Sequence, residues 1–190
     1  MFHPANYMKN GFTLVELIVV IAIIGLLATV GVSSYNNVLK TSRDTKRKAD
    51  LAEIKKVLAF YYATNGKYPQ AGGCAYGSNC YVFSTSGASW IPALIPNYTE
   101  ALPIDPTNNA ASPWATASNN YSYAYGNVTT DGQSYDLTAR LENTSDKDRC
   151  ALKNYRFYCD NRAWCTTFSG GYSDQIYEVS PLNPSGTCPL

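Results

Sequence analysis

Residues 11–25 read GFTLVELIVVIAIIG, and this stretch decides the fold. Between Phe12 and Leu39 the only side chain that is charged at neutral pH is that of Glu16. About 20 consecutive apolar residues are enough for a helix to cross a bilayer. The composition therefore predicts a membrane-spanning helix over residues 12–39.

The residues before this helix form a short polar leader, residues 1–11, which contains Lys9. An ordinary secretory signal is cut after its apolar core, so the mature protein loses that core. Here the leader precedes the apolar stretch, so removing the leader would leave the helix on the mature chain. Met8 is an alternative start that would make the leader very short.

Glu16 is the residue that opposes insertion of the predicted span into lipid. A carboxylate in lipid costs about 2.5–3.5 kcal/mol on insertion scales, so it needs a partner. If the chain is cut after Gly11, the new α-amino group of Phe12 is a cation at the same membrane depth. Because this group does not easily reach Glu16 of its own helix, we expect it to pair with Glu16 of a neighbouring subunit. The simpler alternative is a carboxylate that snorkels to the interface in a single-pass anchor.

The helix is predicted to continue beyond the span, because residues 40–64 contain neither proline nor glycine. Leu51, Ile54 and Leu58 recur at helical spacing and mark one apolar stripe. A stripe of this kind must pack against a globular part of the protein. The pair Asn65-Gly66 then supplies a stop signal.

The charges are unevenly spread along the chain. The net charge of +1 gives no reason to expect a nucleic-acid partner. Residues 40–56, which we call the basic collar, carry seven Lys/Arg and three Asp/Glu, and we interpret them as the flank of a membrane segment. The only histidine, His3, lies in the leader, and no phosphate-binding glycine loop occurs. These observations argue against an enzyme.

Residues 65–190 are rich in Gly, Ser, Asn, Pro and Tyr, and they predict a small β-rich head. Tyr121, Tyr123 and Tyr125 alternate with small residues, and residues 135–141 alternate between apolar and polar types. Because Asp131-Gly132 marks a turn between them, we predict an antiparallel hairpin with one buried face against the helix stripe. The weaker predictions are a loop at 70–90, a short helical or irregular segment at 90–98, and strands at 155–159 and 176–179.

Six cysteines lie in the predicted head, at Cys74, Cys80, Cys150, Cys159, Cys165 and Cys188. An even number confined to one part of the chain predicts disulfides and an oxidising compartment. The best candidate bond joins Cys74 to Cys80, and the other four cysteines allow three arrangements. Zinc is disfavoured, because the close pairs enclose five residues and no histidine is at hand.

The stretch from Lys9 to Glu16, KNGFTLVE, followed by the apolar run to Gly25, resembles the prepilin signature of type IV pilins and type II secretion pseudopilins. The resemblance covers roughly residues 8–40. It implies cleavage between Gly11 and Phe12 by the dedicated prepilin peptidase, N-methylation of Phe12, and a role for Glu16 between subunits.

A weaker resemblance extends into the head. Residues 47–51, 66–69, 101–106 and 131–135 are similar to heads of the major-pseudopilin type, in which a β-sheet packs on the helix. The resemblance implies an α+β, pilin-like fold, with a long N-terminal helix packed on a small antiparallel sheet. Many major pseudopilins bind calcium in a late loop, and the nearest acidic residues here are Glu142, Asp146 and Asp148. A solvated polar turn is the simpler interpretation of these three residues, and no other cofactor is expected.

Three functions follow from these observations. The first is a structural subunit of a type IV pilus, and the second is a pseudopilin of a type II secretion system. The third is a single-pass anchored binding domain that does not polymerise. The first two imply as partners copies of the chain itself, the prepilin peptidase, an inner-membrane assembly platform and membrane lipid. They place the chain in the cytoplasmic membrane with its head outside the cytoplasm, and then in an extracellular or periplasmic filament.

Overall fold

The computed structural model of the chain describes residues 11–75, 80–114, 119–127, 131–148 and 176–179, with the backbone alone for residues 30–34, 127 and 178. The chain divides into two compact units, Met1–Leu39 and Lys40–Leu190. One long helix and a four-stranded antiparallel sheet account for most of the regular structure among the described residues. The predicted α+β class is confirmed.

Helix α1 runs from Leu14 to Asn65. Its end is the predicted one: Gly66 has φ +68°, a left-handed conformation that glycine adopts without strain, and its N–H donates to Tyr62 O at 2.8 Å. Its start lies two residues after Phe12, because Thr13 takes the capping position. The predicted helix is therefore confirmed, with a shift at its first turn.

The first unit holds the apolar part of α1, whose described side chains from Phe12 to Thr29 are exposed. Among the described residues, no helix offers an apolar run of the length that a bilayer crossing requires. The predicted span over residues 12–39 stays a prediction.

The second unit is built around the apolar stripe of α1. Leu51, Ile54 and Leu58 are completely buried, as predicted. They pack in one core with residues from the loops and from the sheet: Ala71, Trp90, Ile91, Leu94, Leu102, Tyr123, Tyr125, Tyr135, Leu137, Ala139 and Val179. The helix and the sheet thus share a single hydrophobic core, which is the main stabilising feature of the head.

The sheet consists of β1 (Tyr81–Phe83), β2 (Ala124–Asn127), β3 (Tyr135–Arg140) and β4 (Ile176–Val179), in that spatial order. All neighbours are antiparallel. The predicted hairpin is confirmed as β2 and β3, and so is the predicted strand at 176–179. The predicted strand at 155–159 lies outside the described residues.

The hairpin differs from its prediction at the start of β2. Tyr121 does not join the strand, because its N–H donates to the Asn109 side chain at 2.7 Å and its carbonyl accepts from the Asn109 N–H at 3.1 Å. Regular pairing with β3 begins only at Ala124. The backbone N–H and carbonyl of Tyr121 therefore bond to Asn109 in a loop, whereas the alternation of tyrosines predicted that they would pair within a strand.

The predicted single buried face of the hairpin is wrong. All six residues of β3 are buried, including Asp136 and Arg140. Asp136 accepts a hydrogen bond from the Tyr81 hydroxyl at 2.8 Å, and the Arg140 guanidinium lies 5.6 Å from the centre of the Tyr121 ring. Asp136 and Arg140 are thus buried on the second face together with these partners, whereas the buried hydroxyl of Thr138 has no hydrogen-bond partner among the described residues.

The prediction of a loop throughout residues 70–90 is also wrong, because β1 forms inside it. The ring of Tyr81 lies over Gly126 on the paired strand, where an added Cβ would come within 2.5 Å of Tyr81 Cε1. Cys74 and Cys80 form the predicted disulfide directly before this strand. The prediction at 90–98 is confirmed by a short 3-10 turn, Pro92–Leu94.

The other four cysteines, Cys150, Cys159, Cys165 and Cys188, lie outside the described residues. Their pairing stays a prediction.

Candidate functional site

Thr13 and Glu16 form a reciprocal hydrogen-bonded cap at the start of α1. The backbone N–H and the hydroxyl of Thr13 both donate to Oε2 of Glu16, at 2.8 and 2.7 Å. In return, the backbone N–H of Glu16 donates to Oγ1 of Thr13 at 3.3 Å. This capping box satisfies N–H groups that the first turn of a helix leaves without partners. Glu16 therefore stabilises its own helix in addition to carrying a charge.

The residues next to this cap are accessible. Phe12 is 77% exposed. A Cβ added at Gly11 would meet no atom within 4 Å, so the fold itself does not require glycine at this position. Every hydrogen bond that Glu16 accepts from the described residues uses Oε2. Oε1 is therefore open to a donor from another chain, and the predicted pairing of Glu16 with Phe12 of a neighbour stays a prediction.

Arg47 is the centre of a buried charged cluster in the second unit. Its Nε and Nη2 donate to the two oxygens of Asp105 at 2.8 and 3.1 Å. Nη1 donates to Asp44 and to Glu142, both at 2.8 Å, and Nη2 also donates to Thr107 at 3.1 Å. These five hydrogen bonds match the five N–H donors of a guanidinium. Arg47, which is completely buried, thus fastens α1 to two separate loops.

The acidic partners of Arg47 also bind the backbone. Asp44 accepts the N–H groups of Glu142 and Asn143, at 2.9 and 2.8 Å. Asp105 accepts N–H groups from two residues that follow it, at 2.8 and 3.2 Å. Burial alone would lower the pKa of Arg47, but its hydrogen bonds to Asp105 and the charge of that carboxylate raise it above the ordinary value. The guanidinium therefore stays charged, and the cluster stays ion-paired.

Four of the seven basic residues in the collar form ion pairs. They are Arg43, Lys46, Arg47 and Lys48. Arg43, Arg47 and Lys48 pair with carboxylates of the head, and Lys46 pairs with Asp50 on the same helix. The interpretation of the collar as a membrane flank stays a prediction. The partners of three of them lie far along the chain, so counting charges within residues 40–56 did not reveal these pairs.

The three calcium candidates are divided between different cations. Glu142 binds Arg43 and Arg47. Asp146 and Asp148 bind the ammonium group of Lys48. Within the part of the chain that the structure describes, no three acidic, histidine or cysteine side chains converge on a common point that could hold a metal.

Acid is expected to loosen the head. Burial would raise the pKa of Glu142, but hydrogen bonds from Arg43 and Arg47 lower it below its ordinary value. Lys48 lowers the pKa of Asp146 in the same way, against the effect of burial. A depressed folded pKa means that the carboxylate stabilises the fold above its unfolded pKa and loses this effect as pH falls through the folded pKa.

We therefore expect Tm to hold down to about pH 5 and to fall below about pH 4. Thermal unfolding followed by circular dichroism across this range measures the effect. A Glu142→Gln control should show a smaller fall in Tm, because it lacks one of the groups that titrate. A wild-type Tm that rises below pH 4 would contradict the assigned direction.

The Arg47 cluster and the capping role of Thr13 were not predicted from the sequence. The cap had a local signal, since Thr13 and Glu16 have the spacing of a capping box. Asp105 had a weaker local signal, because it is a lone charge between two prolines in a stretch with few charges. Nothing in the local sequence links Asp105 to Arg47, which lies 58 residues away.

One family model and several known proteins match parts of the chain. The model of the prokaryotic N-terminal methylation motif matches residues 6–32. The type IV major pilin protein PilE1 of Neisseria gonorrhoeae is 34% identical over 65 residues, which are 34% of this chain and 39% of that pilin. The type IV major alpha-pilin of Moraxella bovis is 43% identical over 47 residues, 25% of this chain and 30% of that pilin. The chain thus spans well under half the length of these pilins.

One match extends further. The type II secretion system core protein G of Escherichia coli K12 is 31% identical over 106 residues, which are 53% of this chain and 68% of that protein. No solved structure matches the chain significantly. The chain therefore belongs to the family of prepilin-like proteins that includes the type IV pilins and the type II secretion system core protein G.

Proposed function

We propose that this chain is a structural subunit of a type IV pilus or a pilus-like filament. The observation that carries the proposal is the methylation motif, which covers Gly11, Phe12 and Glu16 at the start of a long apolar helix. In this proposal the leader is cut after Gly11, Phe12 is N-methylated, and subunits assemble through α1. Glu16 of each subunit pairs with the amino group of Phe12 in its neighbour.

A type II secretion pseudopilin is the second candidate. The match to the Escherichia coli core protein G supports it, because that match covers 106 residues whereas the two pilins cited above match over 65 and 47. Both candidates use the same N-terminal chemistry and differ in the system that the filament serves. A single-pass anchored domain that does not polymerise is the alternative outside this class.

The proposal places the subunit in the cytoplasmic membrane before assembly, with residues 12–39 in lipid and the head outside the cytoplasm. The absence of charge other than Glu16 over these residues supports this location. Its partners are then the prepilin peptidase, the inner-membrane assembly platform and further copies of the chain, and afterwards it lies in an extracellular or periplasmic filament. Nothing in this function requires catalysis by the subunit.

Processing tests the proposal. The chain made in its native cell should start at Phe12 and carry one methyl group on its N-terminus, as intact-mass and N-terminal peptide spectra will show. Replacing Gly11 with valine should leave the leader attached. Because a Cβ at Gly11 would meet no atom of the described residues within 4 Å, such a block reflects recognition by the peptidase and not misfolding.

A substitution at an exposed position of α1, Lys55→Met, is the matched control and should be processed normally. A wild-type chain that retains its leader, or one cut within the apolar helix, would rule out the proposed function.

A further inference from the structure

Lys48 of α1 is surrounded by carboxylate oxygens. Its Nζ lies 2.7 and 2.8 Å from the two oxygens of Asp146, and 2.6 Å from Oδ2 of Asp148. The Tyr177 ring of β4 stands with its centre 5.8 Å from the same nitrogen. An ammonium group has three N–H donors, and here three carboxylate oxygens accept them. The Lys48 side chain, 24% exposed, is therefore fixed at one point against the loop.

The segment that contains these carboxylates has no apolar side chain. Residues 142–148 read ENTSDKD, so hydrophobic burial cannot hold this segment against the helix. Its contacts with α1 are polar at both ends. At the first end Glu142 pairs with Arg47, and at the second end Asp146 and Asp148 pair with Lys48. The segment stays in place through charge, and among the described residues of α1 Lys48 is the cation that pairs with the second end.

The two aspartates would repel each other without that cation. The Asp148 N–H donates to Oδ1 of Asp146 at 2.9 Å, which turns the chain so that both carboxylates point toward one place. In proteins, clustered carboxylate oxygens of this kind commonly enclose a calcium ion at 2.3–2.6 Å. Here the slightly longer distances are those of charge-assisted hydrogen bonds to nitrogen.

We propose that the Lys48 ammonium is a built-in counter-cation that takes the place of a divalent metal ion between Asp146 and Asp148, so that this head keeps its fold without calcium. The proposal concerns the head alone and does not depend on filament assembly. It also explains why α1 carries a lysine, Lys48, opposite this acidic turn.

The experiment compares the full-length mature chain with a Lys48→Met variant, both in detergent, with EGTA or with roughly 5 mM CaCl₂, a concentration that saturates weak extracellular-type sites. The wild-type Tm should be the same in both solutions. The Lys48→Met variant should melt about 2–4 °C lower in EGTA. Calcium should restore most of this loss, because a metal ion can then replace the missing ammonium.

One further measurement and one control variant keep the test decisive. Amide hydrogen exchange in residues 142–148 should be about fivefold to tenfold faster in Lys48→Met than in wild type in EGTA, and calcium should slow it again. Lys55→Met, at an exposed helix position, is the matched control and should change neither quantity. A wild-type Tm that depends on calcium would overturn the proposal, and so would a Lys48→Met chain that is as stable as wild type or that calcium does not restore.

Discussion

Replacing Arg47 with methionine is expected to destabilise the head by about 3–5 kcal/mol. Methionine keeps the length of the side chain but removes all five hydrogen bonds that the guanidinium donates. Asp44 and Asp105, which are 1% and 2% exposed, would then lie in the interior without their counter-charge. Leaving a buried ion unpaired costs more than losing an exposed ion pair.

Thermal unfolding of the full-length mature chain in detergent measures this loss. For a protein of this size, the expected fall in Tm is roughly 6–20 °C. Arg47→Lys keeps the charge but has three donors instead of five, so its Tm should lie between those of wild type and Arg47→Met. Lys55→Met removes an exposed cation of the same helix and should shift stability by about 0.5 kcal/mol or less. An Arg47→Met chain within about 1 kcal/mol of wild type would show that the cluster does not hold the head together.

The parts of the fold that the sequence predicted are those with local signals. The stripe of Leu51, Ile54 and Leu58 has a helical period, and Gly66 ends the helix because it adopts a positive φ without strain. The β2–β3 hairpin has alternating residues on both sides of an Asp-Gly turn. Each of these features depends on neighbours within a few residues, which a sequence displays directly.

The parts that were missed depend on contacts between distant segments. Glu142 is 95 residues from Arg47, so nothing near either residue identifies the pair. The same reason explains the error on β3, whose alternating pattern predicts one solvated face. Thr138 and Arg140 are polar residues that the fold nevertheless buries, and Arg140 does so against the ring of Tyr121. A polar residue in a strand is therefore a poor guide to exposure when distant residues cover it.

Glu16 is expected to be indispensable for filament assembly, and two substitutions separate its two roles. Glu16→Gln removes the charge but keeps an amide oxygen that can accept the Thr13 N–H and hydroxyl in place of Oε2. Glu16→Val removes both the charge and the cap. If the carboxylate pairs with Phe12 of the next subunit, both variants leave an amino group without its counter-charge in the packed helices, which is strongly destabilising.

A filament repeats this contact at every subunit, so both variants should lose filaments almost completely. Insertion should not suffer, because removing a charge from an apolar helix favours transfer into lipid. The experiment expresses each variant in a strain without the native copy, and compares sheared filaments with membrane-bound subunit. Thr13→Ser keeps the capping hydroxyl and is the matched control, which should assemble normally.

The two substitutions distinguish the explanations because they differ only in the cap. Normal filaments from Glu16→Gln, together with their loss in Glu16→Val, would mean that Glu16 acts by capping α1 and not by its charge. Normal filaments from both variants would show that Glu16 has no role in assembly, and would favour the single-pass anchor. Loss of filaments in both, at normal subunit levels in the membrane, is the result that the open Oε1 of Glu16 and the exposed Phe12 lead us to expect.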